Sequence, residues 1–573
     1  MKILYLVEPN NIPITFRNPG EWIQYKEIDD KIEINNLNVK FWNLIYSKTF
    51  INILEENNVL DIDNINSYLD NAKKSLINLK KNNTYNSLET YVKNIISLIK
   101  YTEQINSLNL EFYINILNGI RALNVNYNNL KSILNYCKKQ TILYKLIEYC
   151  LNDFDKETDL ILMKVNSPFS LLTSILIGKI IKRKSNAHIC IIESSYENFA
   201  LSNIKELLYD EDEFFNIFDT IVDGIEDKDK IVSSLIYGLN VGNKFKGFIK
   251  LSDLKQSIPT TNTRMIPYIE VFTPDTVLST KLLNSSCYWK KCSFCAQNLK
   301  YNNSIDEIRL NEIMGRIACY IDSGYKIINF TDEALPPQFL DSFSREILRQ
   351  NIKFSWVCRC RLESSLSKEL LHLMRDAGCK EILYGIESIS HKVLKLMNKY
   401  PNKIDDTSIK EILKNTYNAG IRVHATIIVG FPGEEIEDAI NTANFITNIL
   451  NDMKNSVCWI NQFTLFKNTF VYNNSDLYNI KIHYNNNPLD SIYNFNYLEG
   501  DYTDKKVLIN TINTVSNKIY NGLGWKNFNN NKLIFEIMKI YFFTSHGFIL
   551  KENEKLSSND IEKILYRLNE ILV

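Results

Sequence analysis

Three cysteines that lie close together in the chain are the residues whose type and spacing most clearly predict chemistry. They are Cys287, Cys292 and Cys295, within the segment NSSCYWKKCSFCAQN. Thiolates are soft donors that suit zinc or iron–sulfur clusters, and three of them can hold three irons of a cubane while the fourth iron stays open. The segment therefore predicts a 4Fe-4S cluster whose open iron can bind a further ligand.

A structural zinc site is the main alternative interpretation of this segment. Such a site is usually closed by four ligands, and no histidine or fourth cysteine lies nearby, because the next cysteine, Cys319, falls in a helical pattern. Three unligated core cysteines are a second alternative, which the polar neighbours Lys290, Lys291 and Ser293 do not favour. Cluster binding is the preferred hypothesis, and both alternatives stay open.

The elements that must position these cysteines alternate regularly from about residue 275 onward. Candidate strands cover residues 277–283, 326–331, 353–358, 381–385, 421–429 and 457–466, and helical patterns separate most of them. Strand and helix units in this number fit a partial β/α barrel, in which active sites form on the loops that follow the strands. The cysteine segment follows the first of these strands, which is the position of an active-site loop.

The N-terminal part of the chain has a different pattern. Apolar runs at residues 1–7, 160–165, 189–192 and 220–222 predict strands separated by helix-length segments, which is typical of a parallel, Rossmann-like sheet. Residues from about 40 to 158 have the apolar spacing of a helical insertion. Beyond about residue 480, Asn- and Tyr-rich sequence is followed by helical patterns near 503–522, 531–543 and 558–572.

We therefore predict an α/β protein with three regions. Residues 1–250 form the Rossmann-like domain with its helical insertion, residues 270–475 form a partial (β/α)6 barrel, and residues 476–573 form a helical C-terminal extension. The length of 573 residues agrees with several domains rather than one.

Composition and charge describe a folded protein with no global preference for charged partners. Apolar residues make up 45% and charged residues 23% of the chain, and Lys plus Arg equal Asp plus Glu at 66 each. This balance gives no field that would attract nucleic acid or an anionic membrane. No apolar run has the length of a signal or membrane segment, and an odd number of cysteines, eleven, argues against a disulfide framework. We expect a cytoplasmic protein.

Four further motifs follow the cysteines in an ordered series. They are INFTDEALPP (328–337), FSWVCRCRLE (354–363), AGCKEILYGIESIS (377–390) and GIRVHATIIVGFPGEEIED (420–438). Together with the cysteines, this series resembles the radical S-adenosylmethionine (SAM) superfamily, in the branch whose barrel follows a cobalamin-binding-like domain and which includes many maturases of ribosomal peptides. The chain departs from the usual pattern of that superfamily in one respect, since four residues rather than three separate Cys287 from Cys292.

The resemblance implies a 4Fe-4S cluster and SAM as cofactors and assigns residues to SAM. The implied SAM-binding residues are Phe294, Asp332, Glu333, Arg361, Glu387, Ser388, Gly430, Phe431 and Pro432. Among them Glu333, with Asp332 second, is expected to bind the SAM amino group, and Phe294 is expected to lie by the adenine. Each assignment has a simpler alternative: the acidic pair could cap the helix that begins near Pro336, Arg361 could form a surface salt bridge, and GFPGEE could be only a turn.

The resemblance also implies the type of reaction. Reductive cleavage of SAM would give a 5′-deoxyadenosyl radical that modifies a peptide or natural-product precursor by C-methylation, epimerisation or radical rearrangement, with flavodoxin or ferredoxin as the kind of electron donor. No nucleic-acid or membrane partner is expected. Epimerisation needs a thiol hydrogen donor, for which Cys358, Cys360 and Cys458 are candidates because they lie on or beside barrel strands; their alternative is a role as small buried hydrophobes.

Two questions stay open. Cobalamin is a possible third cofactor, but the cobalt-ligating motif Asp-X-His-X-X-Gly of the family is absent, and His188 lies at a strand start, where a structural role is expected. The protein could also be a non-catalytic iron–sulfur sensor. The acidic segments DEALPP and GFPGEE favour catalysis, because a sensor needs thiolates but no cradle for SAM.

Overall fold

Two compact units make up the structure. The computed structural model describes residues 1–7, 18–19, 29, 31–59, 62–81, 84, 88–116, 119–193, 201–222, 228–250, 253–254, 277–283, 287–299, 310–400, 405–453, 456–483 and 492–523. One unit is Met1–Asp275 with Asn485–Ser491, and the other is Thr276–Tyr484 with Ile492–Val573. The three regions predicted above, including the cobalamin-binding-like nature of the first, stay a prediction. None of the helices in the described part of the chain has both the length and the hydropathy that crossing a membrane requires.

A parallel sheet is the centre of the first unit. In chain order its strands are β1 (Ile3–Val7), β3 (Ile32–Asn36), β6 (Leu160–Val165), β7 (His188–Glu193), β8 (Thr220–Val222) and β9 (Gly247–Ile249); β2 is the two-residue element Asn18–Pro19. The spatial order β3-β1-β6-β7-β8-β9 reverses direction beside β1, as in doubly wound α/β folds. The four predicted strands are therefore present, and the Rossmann-like arrangement is confirmed.

The helices of the first unit cover this sheet and fill the insertion. They are α1 (Leu37–Ile45), α2 (Lys48–Glu56), α3 (Asp63–Leu79), α4 (Leu88–Asn106), α5 (Leu130–Tyr136), α6 (Ile142–Cys150), α7 (Pro168–Lys184), α8 (Lys205–Tyr209), α9 (Asp212–Ile217) and α10 (Lys228–Asn240). Several of these helices have a side-chain N-cap that the sequence provides directly before them. Asn36 caps α1 and Ser47 caps α2, each by accepting a hydrogen bond from a backbone amide of the first turn.

The prediction of a purely helical insertion is wrong at one place. Strands β4 (Phe112–Asn115) and β5 (Gly119–Ala122) form an antiparallel hairpin inside it. The two strands are only four residues each, too short to show a period of two against the surrounding helical spacing. Asn106, the last residue of α4, fixes the hairpin to the helix, because its side-chain amide exchanges hydrogen bonds with both backbone groups of Ile114.

Six parallel strands of the second unit follow one another in chain order. They are β10 (Val277–Thr280), β11 (Ile327–Phe330), β12 (Ser355–Cys360), β13 (Cys379–Glu387), β14 (Arg422–Val429) and β15 (Val457–Gln462), and each pairs with the next. The helices between and beside them are α11 (Leu310–Asp322), α12 (Pro337–Arg349), α13 (Lys368–Asp376), α14 (His391–Leu396), α15 (Asp406–Asn418) and α16 (Ile436–Leu450). Consecutive parallel strands with helical crossovers are the arrangement expected of a partial β/α barrel.

The C-terminal part of the second unit begins with a small antiparallel sheet. Its strands are β16 (Leu465–Phe466), β17 (Ile480–His483) and β18 (Ile492–Tyr497), and β18 lies between the other two in the sheet. Helix α17 (Phe470–Asn473) connects β16 to β17 along the chain. Helix α18 (Lys505–Gly522) follows, where the sequence predicts a helix. The helices predicted at 531–543 and 558–572 lie outside the described residues.

Candidate functional site

The cysteine loop is attached to the chain that follows α14. The Ser293 amide donates to the Met397 carbonyl and its hydroxyl to the Leu396 carbonyl, both at 2.9 Å. Within the loop, the Asn298 side chain donates to the Cys292 carbonyl at 2.7 Å. Both groups of the peptide between Cys292 and Ser293 are therefore satisfied by protein, which fixes the middle of the loop against the end of α14.

The thiols of this loop interact with one another and with two cations. Burial raises the pKa of Cys292, and the charges of Cys287 and Glu387 raise it further, while Lys399 and Arg361 act in the opposite direction. Burial also raises the pKa of Cys295 to about 12, with Cys292 as the next cause. Two cations facing buried thiols favour the thiolate form, which is the form that binds metal.

The chemistry of these donors fits an iron–sulfur cluster. All three cysteines are free thiols on one loop, and Lys399 and Arg361 can offset the negative charge of a bound cluster. Among the residues that the structure describes, however, no three Cys, His, Asp or Glu side chains lie close enough together to hold a metal ion. Binding of a cluster therefore requires the Cys287, Cys292 and Cys295 side chains to converge, and their ligand role stays a prediction.

Arg361 lies directly after β12 and is buried, with 4% of its side chain exposed. Its Nε donates to Glu363 Oε1 at 3.1 Å and its Nη2 to the Lys399 carbonyl at 2.5 Å. Its Nη1 is buried with no hydrogen-bond partner among the described residues. The alternative of a surface salt bridge is therefore wrong, since a buried guanidinium with an unused donor fits an anionic group of a ligand.

Glu387 ends β13 in a conformation that only a few per cent of residues other than glycine adopt. Its φ is +65°, and the register with β14 shifts between Gly385 and Glu387. The carboxylate Oε1 lies 2.9 Å from Lys399 Nζ, and both side chains are about nine-tenths buried. Burial lowers the pKa of Lys399, but the charges of Glu387, Tyr400 and Cys292 together outweigh burial, so that the pKa of Lys399 is raised. Lys399 therefore keeps its positive charge inside the protein.

The structure separates the roles of Asp332 and Glu333. Asp332 is 2% exposed, and its carboxylate accepts the Leu282 amide at 2.6 Å and the Leu283 amide at 2.9 Å, which joins the ends of β10 and β11. Glu333 is more exposed and lies 3.5 Å from Arg359 Nη1. Neither caps α12, whose N-cap residue, Pro336, makes no side-chain cap bond. Of the two, Glu333 has the more exposed carboxylate, and its role in SAM binding stays a prediction.

Ser388 and Phe294 have different surroundings. Ser388 is fully buried, lies 3.3 Å from the Thr442 hydroxyl and accepts the Ser390 amide at 3.1 Å, so its hydroxyl holds the turn into α14. Phe294 is partly buried and packs edge-on against Phe431, with 6.1 Å between ring centroids. Of these two implied SAM residues, Phe294 keeps a partly exposed surface, and the Ser388 hydroxyl is engaged within the protein.

The turn after β14 contains the implied adenine residues Gly430, Phe431 and Pro432. Gly430 has φ +82°, its amide donates to Glu434 Oε2 at 2.5 Å, and Tyr497 of β18 donates to its carbonyl. Burial raises the pKa of Glu434 to about 8. The turn is therefore more than a surface loop, since a buried carboxyl group and the C-terminal sheet fix its shape.

Substitution of Gly430 is expected to test this fixation. In Gly430→Ala the new Cβ would lie 2.6 Å from Leu508 Cδ1 and 3.2 Å from Tyr497 Oη, in addition to the cost of a left-handed backbone of about 1–2 kcal/mol. We expect a larger loss of unfolding free energy than in Gly324→Ala, where φ is +97° but nothing lies within 4 Å of the Cβ. Urea unfolding measures both; equal losses would show that the C-terminal segment does not pack on the turn.

The predicted hydrogen donors Cys358 and Cys360 lie on the helix-covered face of β12. They alternate with Arg361 and share the face of Trp356, whose ring packs against Phe343 of α12 with 5.6 Å between centroids. Both thiols are buried, and their sulfurs are 3.8 Å apart. Burial raises the pKa of Cys358, and the hydrogen bond with Cys358 together with burial raises the pKa of Cys360. This placement on the face opposite Arg361 does not favour a donor role.

Cys458, the third predicted donor, lies on the same covered face. The strand registers place it in one row with Ala425, Tyr384 and Cys360. The Tyr384 hydroxyl lies 2.8 Å from Thr416 Oγ1 on α15, which identifies the face that the helices cover. Residues in register on parallel strands point the same way, so a donor role of Cys458 is not favoured either.

Residues that the motifs did not indicate complete the site. Lys399 pairs with Glu387, and the rings of Trp289 and Tyr400 lie 4.1 and 5.3 Å from the Arg361 guanidinium carbon. The sequence carries no periodic signal for them, because all three come from loops. The excess of one residue between Cys287 and Cys292 is the signal that could have directed attention to Trp289.

His188, in the first unit, is engaged with a structural partner. It begins β7, and its Nε2 lies 3.0 Å from Thr220 Oγ1 on the neighbouring strand. Burial lowers the pKa of His188. Since ligands of open α/β sheets bind beyond the carboxyl ends of the strands, a residue at the start of β7 is not placed to ligate a cofactor there.

Comparison with known proteins identifies a family model that matches the part of the chain that carries the site. A family model described as the radical SAM superfamily matches residues 285–446. The uncharacterized methyltransferase PH0819 of Pyrococcus horikoshii is 23% identical over 157 residues, which cover 27% of this chain and 33% of the relative. The ribosomal protein uS12 methylthiotransferase RimO of Bacteroides thetaiotaomicron is 25% identical over 216 residues, which cover 36% of this chain and 48% of the relative. The chain thus spans between a third and a half of these relatives.

The solved structures that align with this chain are more distant in sequence. The radical SAM methyltransferase TsrM from Kitasatospora setae, solved with a tryptophan substrate and a SAM analogue, aligns with a TM-score of 0.47 and 12% identity over 85% of this chain and 79% of TsrM. The cobalamin-dependent radical SAM enzyme OxsB, with aqua-cobalamin bound, aligns with a TM-score of 0.45 and 12% identity over 75% and 73% of the two chains.

Proposed function

We propose that this chain, whose residues 285–446 match the family model described as the radical SAM superfamily, belongs to that superfamily and is an enzyme that reductively cleaves SAM and uses the resulting radical to modify a substrate. The observation that carries the proposal is the position of three free cysteines on the loop after β10, at the carboxyl end of six consecutive parallel strands. A 4Fe-4S cluster and SAM supply the one-electron cleavage to methionine and a 5′-deoxyadenosyl radical.

Different residues of the site would bind the cluster and the different parts of SAM. Cys287, Cys292 and Cys295 would hold the cluster, and Lys399, paired with Glu387, would offset its charge. Glu333 would accept a hydrogen bond from the SAM amino group, and the unused Nη1 of Arg361 would donate to its carboxylate. Phe294 and the turn from Gly430 to Pro432 would enclose the adenine. These residues bind and orient SAM, which is the contribution of a protein to cofactor chemistry.

Among the reactions considered, we favour transfer of a methyl or methylthio group over epimerisation. Two of the relatives are described as a methyltransferase and a methylthiotransferase, and the thiols that could return a hydrogen lie on the covered face. We further propose a peptide or natural-product precursor as substrate and a flavodoxin or ferredoxin as electron donor. If cobalamin carries the methyl group, it would have to bind without His188 as a ligand, because that side chain is engaged with Thr220.

Product analysis of the reconstituted protein tests the proposal. Protein reconstituted anaerobically with iron and sulfide is reduced with dithionite in the presence of SAM, and we expect 5′-deoxyadenosine and methionine in equal amounts only when iron, reductant and SAM are all supplied. Omission of each component in turn is the control. A cluster that forms but never cleaves SAM would instead support the iron–sulfur sensor, and failure to form any cluster would contradict both functions.

A further inference from the structure

We propose that the long spacer of the cysteine loop is a latch, in which Tyr288 and Trp289 attach the loop to the residues that follow β12 and α14 before any cluster binds. The latch is defined by these two residues and their partners Arg361, Glu363 and Asn398. The proposal rests on the proposed function, since positioned thiols are useful only if they bind a cluster. Tyr288 and Trp289 are positioning residues, because neither would touch the cluster irons or SAM.

The Trp289 side chain makes the central contacts of the latch. Its indole Nε1 donates to the Asn398 carbonyl at 3.1 Å, and the Arg361 guanidinium carbon lies 4.1 Å from its ring centroid. Lys291 Nζ lies 4.8 Å from the same ring. A buried guanidinium stacked on an indole is among the stronger cation–π contacts, so the ring binds the loop to a rigid strand end.

Tyr288 adds a second attachment through Glu363. The Tyr288 hydroxyl donates to Glu363 Oε1, the same oxygen that accepts Arg361 Nε at 3.1 Å. The guanidinium carbon of Arg361 also lies 5.3 Å from the centroid of the Tyr400 ring. Arg361 therefore contacts both Trp289 and Tyr400, so that the loop and the chain after α14 share one buried cation.

The length of the spacer explains how both aromatic side chains can be used. Lys290 has φ +53°, a left-handed conformation that reverses the chain directly after Trp289. Lys290 and Lys291 are exposed, whereas Cys292 is 9% exposed. The four residues 288–291 thus provide two aromatic side chains that contact the protein and two lysines that face solvent. A spacer of three residues would lack one of these four side chains.

Limited proteolysis of the iron-free full-length protein tests the latch without the cluster. Trypsin cleaves after Lys290 and Lys291, and a locally opened loop is cut faster. We expect Trp289→Ala to increase the cleavage rate at these two lysines on the order of tenfold, by loss of the ring contacts and the hydrogen bond. Trp289→Phe keeps a ring face, so its cleavage rate should lie between those of Trp289→Ala and wild type. Tyr149→Ala, which removes an exposed ring of the first unit, is the control.

The same variants separate the latch from a general loss of stability and from the proposed function. Cleavage in Trp289→Ala at the wild-type rate, or acceleration at lysines throughout the chain, would overturn the latch. After reconstitution, Trp289→Ala should also bind less iron per chain than Tyr149→Ala. If wild type released no 5′-deoxyadenosine, but Trp289→Ala were still cleaved faster than wild type at Lys290 and Lys291, the result would count against the proposed function alone.

Discussion

The combined substitution Cys287→Ala, Cys292→Ala and Cys295→Ala is expected to abolish both cluster binding and the release of 5′-deoxyadenosine from SAM. Three thiolates are the only donors that the loop provides, and a cubane cluster needs all three to keep one iron open. Without the cluster no electron reaches SAM. Iron and sulfide per chain, the visible absorbance of the cluster and chromatographic product analysis measure the three losses.

Single substitutions elsewhere provide the control for loss of thiols in general. Cys358→Ala, Cys360→Ala and Cys458→Ala each remove a buried thiol from the helix-covered face. We expect each to retain the iron content and SAM cleavage of wild type, because these thiols alternate away from Arg361. A triple loop variant that still bound four irons and cleaved SAM would show that the cluster lies elsewhere in the chain.

The order of elements in the second unit could be predicted from the sequence because each strand carries a local signal. Apolar runs followed by polar motifs recur six times, and the structure places all six as neighbouring parallel strands. The strands β3 and β9 of the first unit were not evident, since IEINN has few apolar residues and GFI has only three residues. Pairing with a neighbour, rather than local propensity, makes these segments strands.

The residues of the site could be predicted from the sequence only where they belong to short motifs. The cysteines and Arg361 follow strands, so their positions could be inferred from sequence order. The pairing of Lys399 with Glu387 could not, because it joins a strand end to a residue twelve positions later through a turn of unpredicted shape. The division of roles between Asp332 and Glu333 could not be predicted either, since it depends on which carboxylate accepts the two backbone amides that follow β10.

Substitution of Lys399 by an apolar residue is expected to be among the most destabilising changes in the site. Lys399→Met would leave the Glu387 carboxylate about nine-tenths buried without its partner at 2.9 Å. Loss of one member of a buried pair costs about 3–5 kcal/mol, because the remaining charge keeps its desolvation penalty. Hydrogen exchange of peptides from β13 measures the free energy of opening at this position.

Two comparisons decide whether the buried charge is the cause. Lys392→Met removes a lysine whose Nζ lies 2.6 Å from Glu435 Oε1 with about half of each side chain exposed, so we expect a loss of only about 0–1 kcal/mol. The double variant Lys399→Met with Glu387→Gln leaves no charge at this pair and should recover part of the stability lost in Lys399→Met. If the double variant were no more stable than Lys399→Met, the side-chain packing of Lys399 rather than its charge would hold the end of β13, because restoring neutrality would then have brought no gain.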